Sequence, residues 1–141
     1  MANTSALKAV TNFAIQEVAK DLKIELAPQK IYIGNEGVTK KFDGVSLNKD
    51  IIVKVINHSG YTSGNKLPTG KIRNTFADCY FLSLTKANSK ILAVTNQEFY
   101  KIFNAQSKGL LGEIQLKYIE LPDELKEIAR KVSQDASREM S

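Results

Sequence analysis

The chain has 141 residues, enough for one domain with a real core. Its 43% hydrophobic and 25% charged residues are ordinary for a globular protein, and no apolar run approaches the roughly eighteen residues that a membrane span needs. The net charge is +5, the single Cys79 leaves no disulfide or zinc motif, and no basic-then-apolar leader is apparent, so a cytoplasmic protein that avoids membranes is expected.

A helix is predicted over residues 4–23, capped by Thr4 or Ser5. Leu7, Val10, Ala14, Val18 and Leu22 share one face, with Thr11 and Ile15 beside it. Glu17 falls at the edge of that stripe, near Val10 and Phe13. Pro28 ends any helix.

Three strands follow, over 31–34, 39–45 and 51–57, separated by the Asn35-Glu36-Gly37 turn and a turn at 47–50. The third is nearly all apolar, which predicts a place inside a sheet covered on both faces. Residues 58–70 are rich in Ser, Gly, Thr, Asn and Pro and predict a loop or lid. A second helix runs from 69–71 to about residue 87, with Ile72, Phe76, Cys79 and Leu82 or Ser83 at helical spacing. A strand at 90–95 and a helix at 97–104, with Phe99, Ile102 and Phe103 inward, come next. A strand at 113–121 precedes a last helix that opens at Pro122 and reaches about residue 138.

The order is therefore α-β-β-β-α-β-α-β-α in a single domain over 1–141, without internal repeats. A three-strand meander, a crossover helix and a further strand imply an α/β fold, a mixed sheet flanked by helices.

Charge is unevenly spread. Residues 51–77 contain no Asp or Glu but hold Lys54, Lys66, Lys71 and Arg73. Lys30, Lys40 and Lys41 add to a basic first half. An acid-free basic segment is a candidate phosphate-facing surface; its neutral alternative is a set of solvated lysines.

The run Phe42-Asp43-Gly44-Val45-Ser46, a hairpin turn, and the strand at 51–56, set in the α-β-β-β-α-β order, resemble the PD-(D/E)XK, or restriction-endonuclease-like, nuclease superfamily. The resemblance covers roughly residues 4–96. It implies an Asp at the end of the second strand, facing an acid and a lysine two residues apart on the third. Period two would put that pair on one sheet face. Carboxylates there would hold magnesium, which prefers hard oxygen ligands and polarises the phosphate.

Asp43 matches the first acid. Lys54 stands where the second acid is implied, and Ile56 where the lysine is. Glu17 is the candidate first-helix acid, so the implied metal ligands are Asp43 and Glu17. Lys71, or less readily Arg73, is the candidate relocated cation. An ammonium about 4 Å from the Asp43 carboxylate attracts it by about 4 kcal/mol at an effective dielectric of about 20, which makes a good ion pair and a poor magnesium site. The expected function is thus nucleic-acid binding, to DNA foremost, through Lys54, Lys66, Lys71 and Arg73, with phosphodiester cleavage weak or lost. The alternatives are an active magnesium nuclease using Glu17, Asp43 and a relocated lysine, and a non-enzymatic domain that meets an acidic protein. A homodimer through the last helix is compatible with all three.

Other residues carry weaker signals. His58, whose ordinary pKa near 6.5 would suit a general base, is expected to be structural or exposed. Residues 59–66 resemble a phosphate cradle in composition, without the Gly-Lys-Ser/Thr closure of a P-loop. Amides at the helix start around Thr69-Gly70-Lys71 favour an anion. Tyr61 is placed to stack on a base or to pack on the body of the protein. Asp78, two turns beyond Lys71 and near the same face, is expected on the solvated side of its helix, with lining of the cleft as the alternative. Phe76, Tyr80, Phe81, Phe99 and Phe103 are expected in the core, and Cys79 as a small buried hydrophobe.

Overall fold

The computed structural model describes residues 4–61 and 64–140, with side-chain surroundings for 5–61 and 64–132. The elements are α1 (Thr4–Leu22), β1 (Ala27–Ile33), β2 (Val38–Val45), β3 (Ile51–Ile56), α2 (Thr69–Ser83), β4 (Ser89–Val94), α3 (Gln97–Gln106), β5 (Ile114–Tyr118) and α4 (Asp123–Met140). This is the predicted order. The five strands form one sheet in the order β1-β2-β3-β4-β5. The pairs β1·β2 and β2·β3 are antiparallel, while β3·β4 and β4·β5 are parallel.

The sheet has a core on each face. On one, Ala14, Ile15, Val18 and Ala19 of α1 pack against Val53, Val55, Ile91 and Ala93. On the other, Ile72, Cys79 and Leu82 of α2 and Phe99, Ile102 and Phe103 of α3 cover Phe42, Val45, Ile52, Ile56 and Leu92. Alternation along β3 sends Val53 and Val55 to α1, and Ile52 and Ile56 to α2 and α3. The prediction of a strand buried on both faces holds. Lys54, in step with Ile52 and Ile56, therefore belongs to the α2 side.

Boundaries moved where tertiary pairing overrides local signals. β1 begins before Pro28, because a proline fits an edge strand that pairs on one side only. The α1 stripe drifts: Leu22, expected inside, is 37% exposed, while Ala19 is buried. Lys23, with φ 57°, ends the helix before Pro28 is reached. Helix α2 stops at Ser83, four residues short of the predicted end, with the Leu84 amide bonded back to the last turn.

One irregularity positions the site. Ala27 pairs with Val45 and Gln29 with Phe42, so two steps along β1 face three along β2. That is a bulge, which bends the strand and re-aims its side chains. Beside it Gly44 allows α1 to approach: a Cβ there would lie 2.8 Å from Ile15 Cδ1.

Candidate nucleic-acid interface

The ladder between β2 and β3 runs Val45↔Ile52 and Gly44↔Val53, after the Ser46 amide bonds the Ile51 carbonyl at 3.0 Å. Extended in register, the next rung would give the Val55 amide to the carbonyl of Phe42. The bulge removes that acceptor, and Asp43 Oδ2 takes the Val55 N–H instead, at 2.7 Å. The same oxygen stands 3.7 Å from Lys54 Nζ, with both side chains about a quarter exposed. Asp43 is thus brought to Lys54, as predicted, and is also bound by backbone.

Helix α2 covers this pair. Asp78, expected on the solvated side, is half-buried and is corrected to a groove residue. Burial raises its carboxyl above the usual range and the Asp43 charge adds to the rise, while Lys54 and Lys40 oppose it. Lys40, on β2, lies over the Phe81 ring with its ammonium 4.3 Å from the centroid. Two carboxylates and two ammonium groups therefore share the floor between α2 and the β2–β3 pair.

The chain leaves the sheet at the end of β3. Asn57 Nδ2 donates to Thr11 Oγ1 at 3.0 Å, and Asn57 Oδ1 accepts from Thr95 Oγ1 at 2.7 Å. These bonds fix the chain as it leaves the sheet. His58 then packs edge-on against Phe99, with ring centroids 5.4 Å apart. Burial, and then the charges of Lys71 and Lys54, hold its pKa below the ordinary 6.5. Lys71, in the first turn of α2, donates from Nζ to Ser59 Oγ at 2.6 Å. Burial lowers its pKa too. Among the described residues no side chain caps the start of α2.

The loop beyond is partly anchored. Gly60 is buried against Glu98 of α3, and Glu98 Oε1 accepts the Tyr61 amide at 2.7 Å. The first residues of the predicted loop or lid are thus tied to the body of the protein.

The remaining predicted residues scatter. Arg73 and Lys66 are exposed, the first on the outer side of α2 and the second in the loop. Glu17 is half-buried on α1, which packs on the sheet face opposite the Asp43–Lys54 pair. No hydrogen bond or ion pair among the described residues links it to Asp43. Tyr80, expected in the core, is 61% exposed; Phe99 and Phe103 are fully buried, and Phe76 and Phe81 are partly so. Cys79 is buried as expected, and burial next to Asp78 pushes its thiol up to about 12.

The groove fits a magnesium ion poorly. Asp43 Oδ2 is already shared by an amide and an ammonium, and Asp78 is pushed towards its neutral form. Among the described residues no three His, Cys, Asp or Glu side chains gather as a metal would need. With Asp43 and Asp78 set against Lys40, Lys54 and Lys71, the groove is cationic by one charge, beside a histidine whose pKa is lowered.

The two-turn spacing from Lys71 puts Asp78 on the same helix face, and of the two places this allows, cleft or solvent, the structure has the half-buried one; Lys40, expected only as part of a basic first half, lies over Phe81. Among the described residues no helix is long and apolar enough to cross a membrane. No protein-family profile, curated protein or solved structure matches this chain.

Proposed function

We propose that this chain binds the phosphate backbone of nucleic acid, DNA foremost, along the groove between α2 and the β2–β3 pair, as a nuclease-like protein that holds its substrate without cutting it. The observation that carries this reading is the Lys54–Asp43 contact at 3.7 Å, in which a lysine stands where the PD-(D/E)XK resemblance implies a metal-binding acid. A cation beside a carboxylate already held by the Val55 amide disfavours a divalent ion there, while Lys40 and Lys71 add positive charge to the same groove. Lys66 and Arg73, exposed in the loop and on α2, are further candidate phosphate contacts.

The strand and helix order supports the reading, as does the mixed sheet with its Asp at the end of β2. Backbone contacts release counterions, so affinity falls steeply with salt. The test is fluorescence anisotropy of labelled DNA over a salt series, run beside a plasmid-nicking assay in magnesium and manganese. Salt-dependent binding without nicking is expected. Absence of binding, or binding indifferent to salt, overturns the proposal. Nicking that Asp43→Ala abolishes replaces it with the active magnesium nuclease.

A further inference from the structure

A cavity of about 450 Å³ opens between the loop after β3 and helix α3. Tyr61, Leu67 and Ile102 are among its apolar lining, and Gln97, Glu98, Lys101 and Gln106 are its polar lining, with Glu98 already engaged by the Tyr61 amide. Tyr61 is 47% exposed and Leu67 43%, so two large apolar side chains face solvent at its mouth. The cavity adjoins the cationic groove. Ser59, which accepts from Lys71 Nζ, precedes Tyr61 by two residues, a reach of at most about 7 Å. The Glu98 bond to the Tyr61 amide and the tight seat of Gly60 hold that short link in place.

We propose that this cavity takes an unpaired nucleobase, so that the protein prefers single strands to duplex; the inference rests on the backbone-binding function proposed above. The chemistry matches a base on each side. A flat apolar ring stacks on an exposed tyrosine, and every base has such a face. The side-chain amides of Gln97 and Gln106 can each donate to and accept from a base edge. Lys101 at the rim and Lys71 at the near end of the groove suit the phosphates on either side of the base. A paired base, already stacked and with its Watson–Crick edge engaged, cannot enter such a cavity unless it is flipped out of the duplex.

The test compares labelled oligothymidylate with a blunt duplex of equal length, by anisotropy at fixed salt, for the wild type and for Tyr61→Ala, Tyr61→Phe and Lys71→Ala. Tyr61 is exposed, and a thermal melt checks that each variant is folded. The wild type is expected to bind the single strand more tightly. Tyr61→Ala weakens that binding about five- to a hundredfold and leaves the duplex unchanged, and Tyr61→Phe keeps the preference. Lys71→Ala weakens both. Equal binding of the two forms overturns the base cavity but leaves backbone binding standing. A Tyr61→Ala loss that is equal for both forms does the same. No binding of either form by the wild type overturns both proposals.

Discussion

The carboxylate of Asp43 replaces a rung of the sheet for Val55: it accepts at 2.7 Å the amide hydrogen that an unbroken β2 would have taken with the Phe42 carbonyl. The residue that most suggests catalysis is therefore also part of the sheet. Asp43→Ala leaves the Val55 amide without its acceptor in a buried strand and Lys54 without its partner. A loss of about 1–3 kcal/mol in urea unfolding is expected. Asp43→Asn keeps a carbonyl oxygen in place and should lose less. Because it also removes a negative charge from the cationic groove, Asp43→Asn should bind DNA more tightly than wild type. Weaker binding by a fully folded Asp43→Asn would count against the groove as the site.

Lys54 and Lys71 differ in their ties. Lys54 neutralises Asp43, and Lys71 donates to an uncharged hydroxyl, Ser59 Oγ. Lys71→Ala should weaken binding about equally across DNA sequences and lower the slope of log affinity against log salt by about 1. Lys54→Ala should weaken it further, because it exposes the phosphate to an uncompensated Asp43. Titrations at four or five salt concentrations measure both effects. An unchanged slope in Lys71→Ala would remove that residue from the interface.

Local pattern made the fold legible, while the site depended on a defect in pattern. Alternation and turn residues located all five strands, and the unbroken apolar run at 51–53 showed β3 to be central. The sequence alone contains nothing that announces the bulge beside Gly44, since an extra residue in β2 becomes visible only through its pairing with β1. Without the bulge, the Val55 amide would not need Asp43. The half-buried place of Asp78 is hidden for a related reason. Helical spacing tells which residues share a face, but the turning of that face towards Lys54 is set by how α2 lies on the sheet. Glu17 borders the apolar stripe of α1, but the stripe does not say which side of the sheet α1 covers.

His58 is the one histidine in the chain, so its titration can be followed without ambiguity. Burial and the neighbouring Lys71 and Lys54 depress its folded pKa below the unfolded 6.5. The unfolded chain then binds more protons in the interval between the two values. Stability contributed by neutral His58 is full above pH 6.5 and is lost as pH falls through the folded value. The single imidazole resonance should titrate below 6.5 by NMR, and the fall in melting temperature over that interval should shrink in His58→Gln. A resonance titrating at or above 6.5 would contradict the packing against Phe99 and the two lysines.

Asp78 has the opposite sign. Its folded carboxyl is raised above the unfolded 3.8, chiefly by burial. The folded state therefore binds more protons between those values, and the contribution is full below pH 3.8 and lost as pH rises through the folded value. At neutral pH the ionised group weighs against the fold. Asp78→Asn should raise the melting temperature at pH 7, and the gain should vanish below pH 3.8. A destabilised Asp78→Asn at pH 7 would mean that its attraction to Lys54 and Lys40 outweighs burial.

Gly60 offers the most direct test of how the loop is anchored. A Cβ there would come within 2.1 Å of Glu98 Oε1 and 2.3 Å of its Cγ, so the whole Glu98 side chain would have to swing away. That movement breaks the bond to the Tyr61 amide. The φ of Gly60 lies outside the left-handed region, so the cost of an alanine is contact and not backbone strain. Gly60→Ala should destabilise by about 1–3 kcal/mol, the usual range for overpacking. Glu98→Ala removes the clash along with the bond, so the double variant Gly60→Ala/Glu98→Ala should lose well less than the sum of the two single losses. A cycle in urea unfolding gives the coupling, expected at about 1 kcal/mol or more. Strict additivity would show that Gly60 and Glu98 are not in contact in solution, and would leave Tyr61 without the anchor that aims it at the cavity.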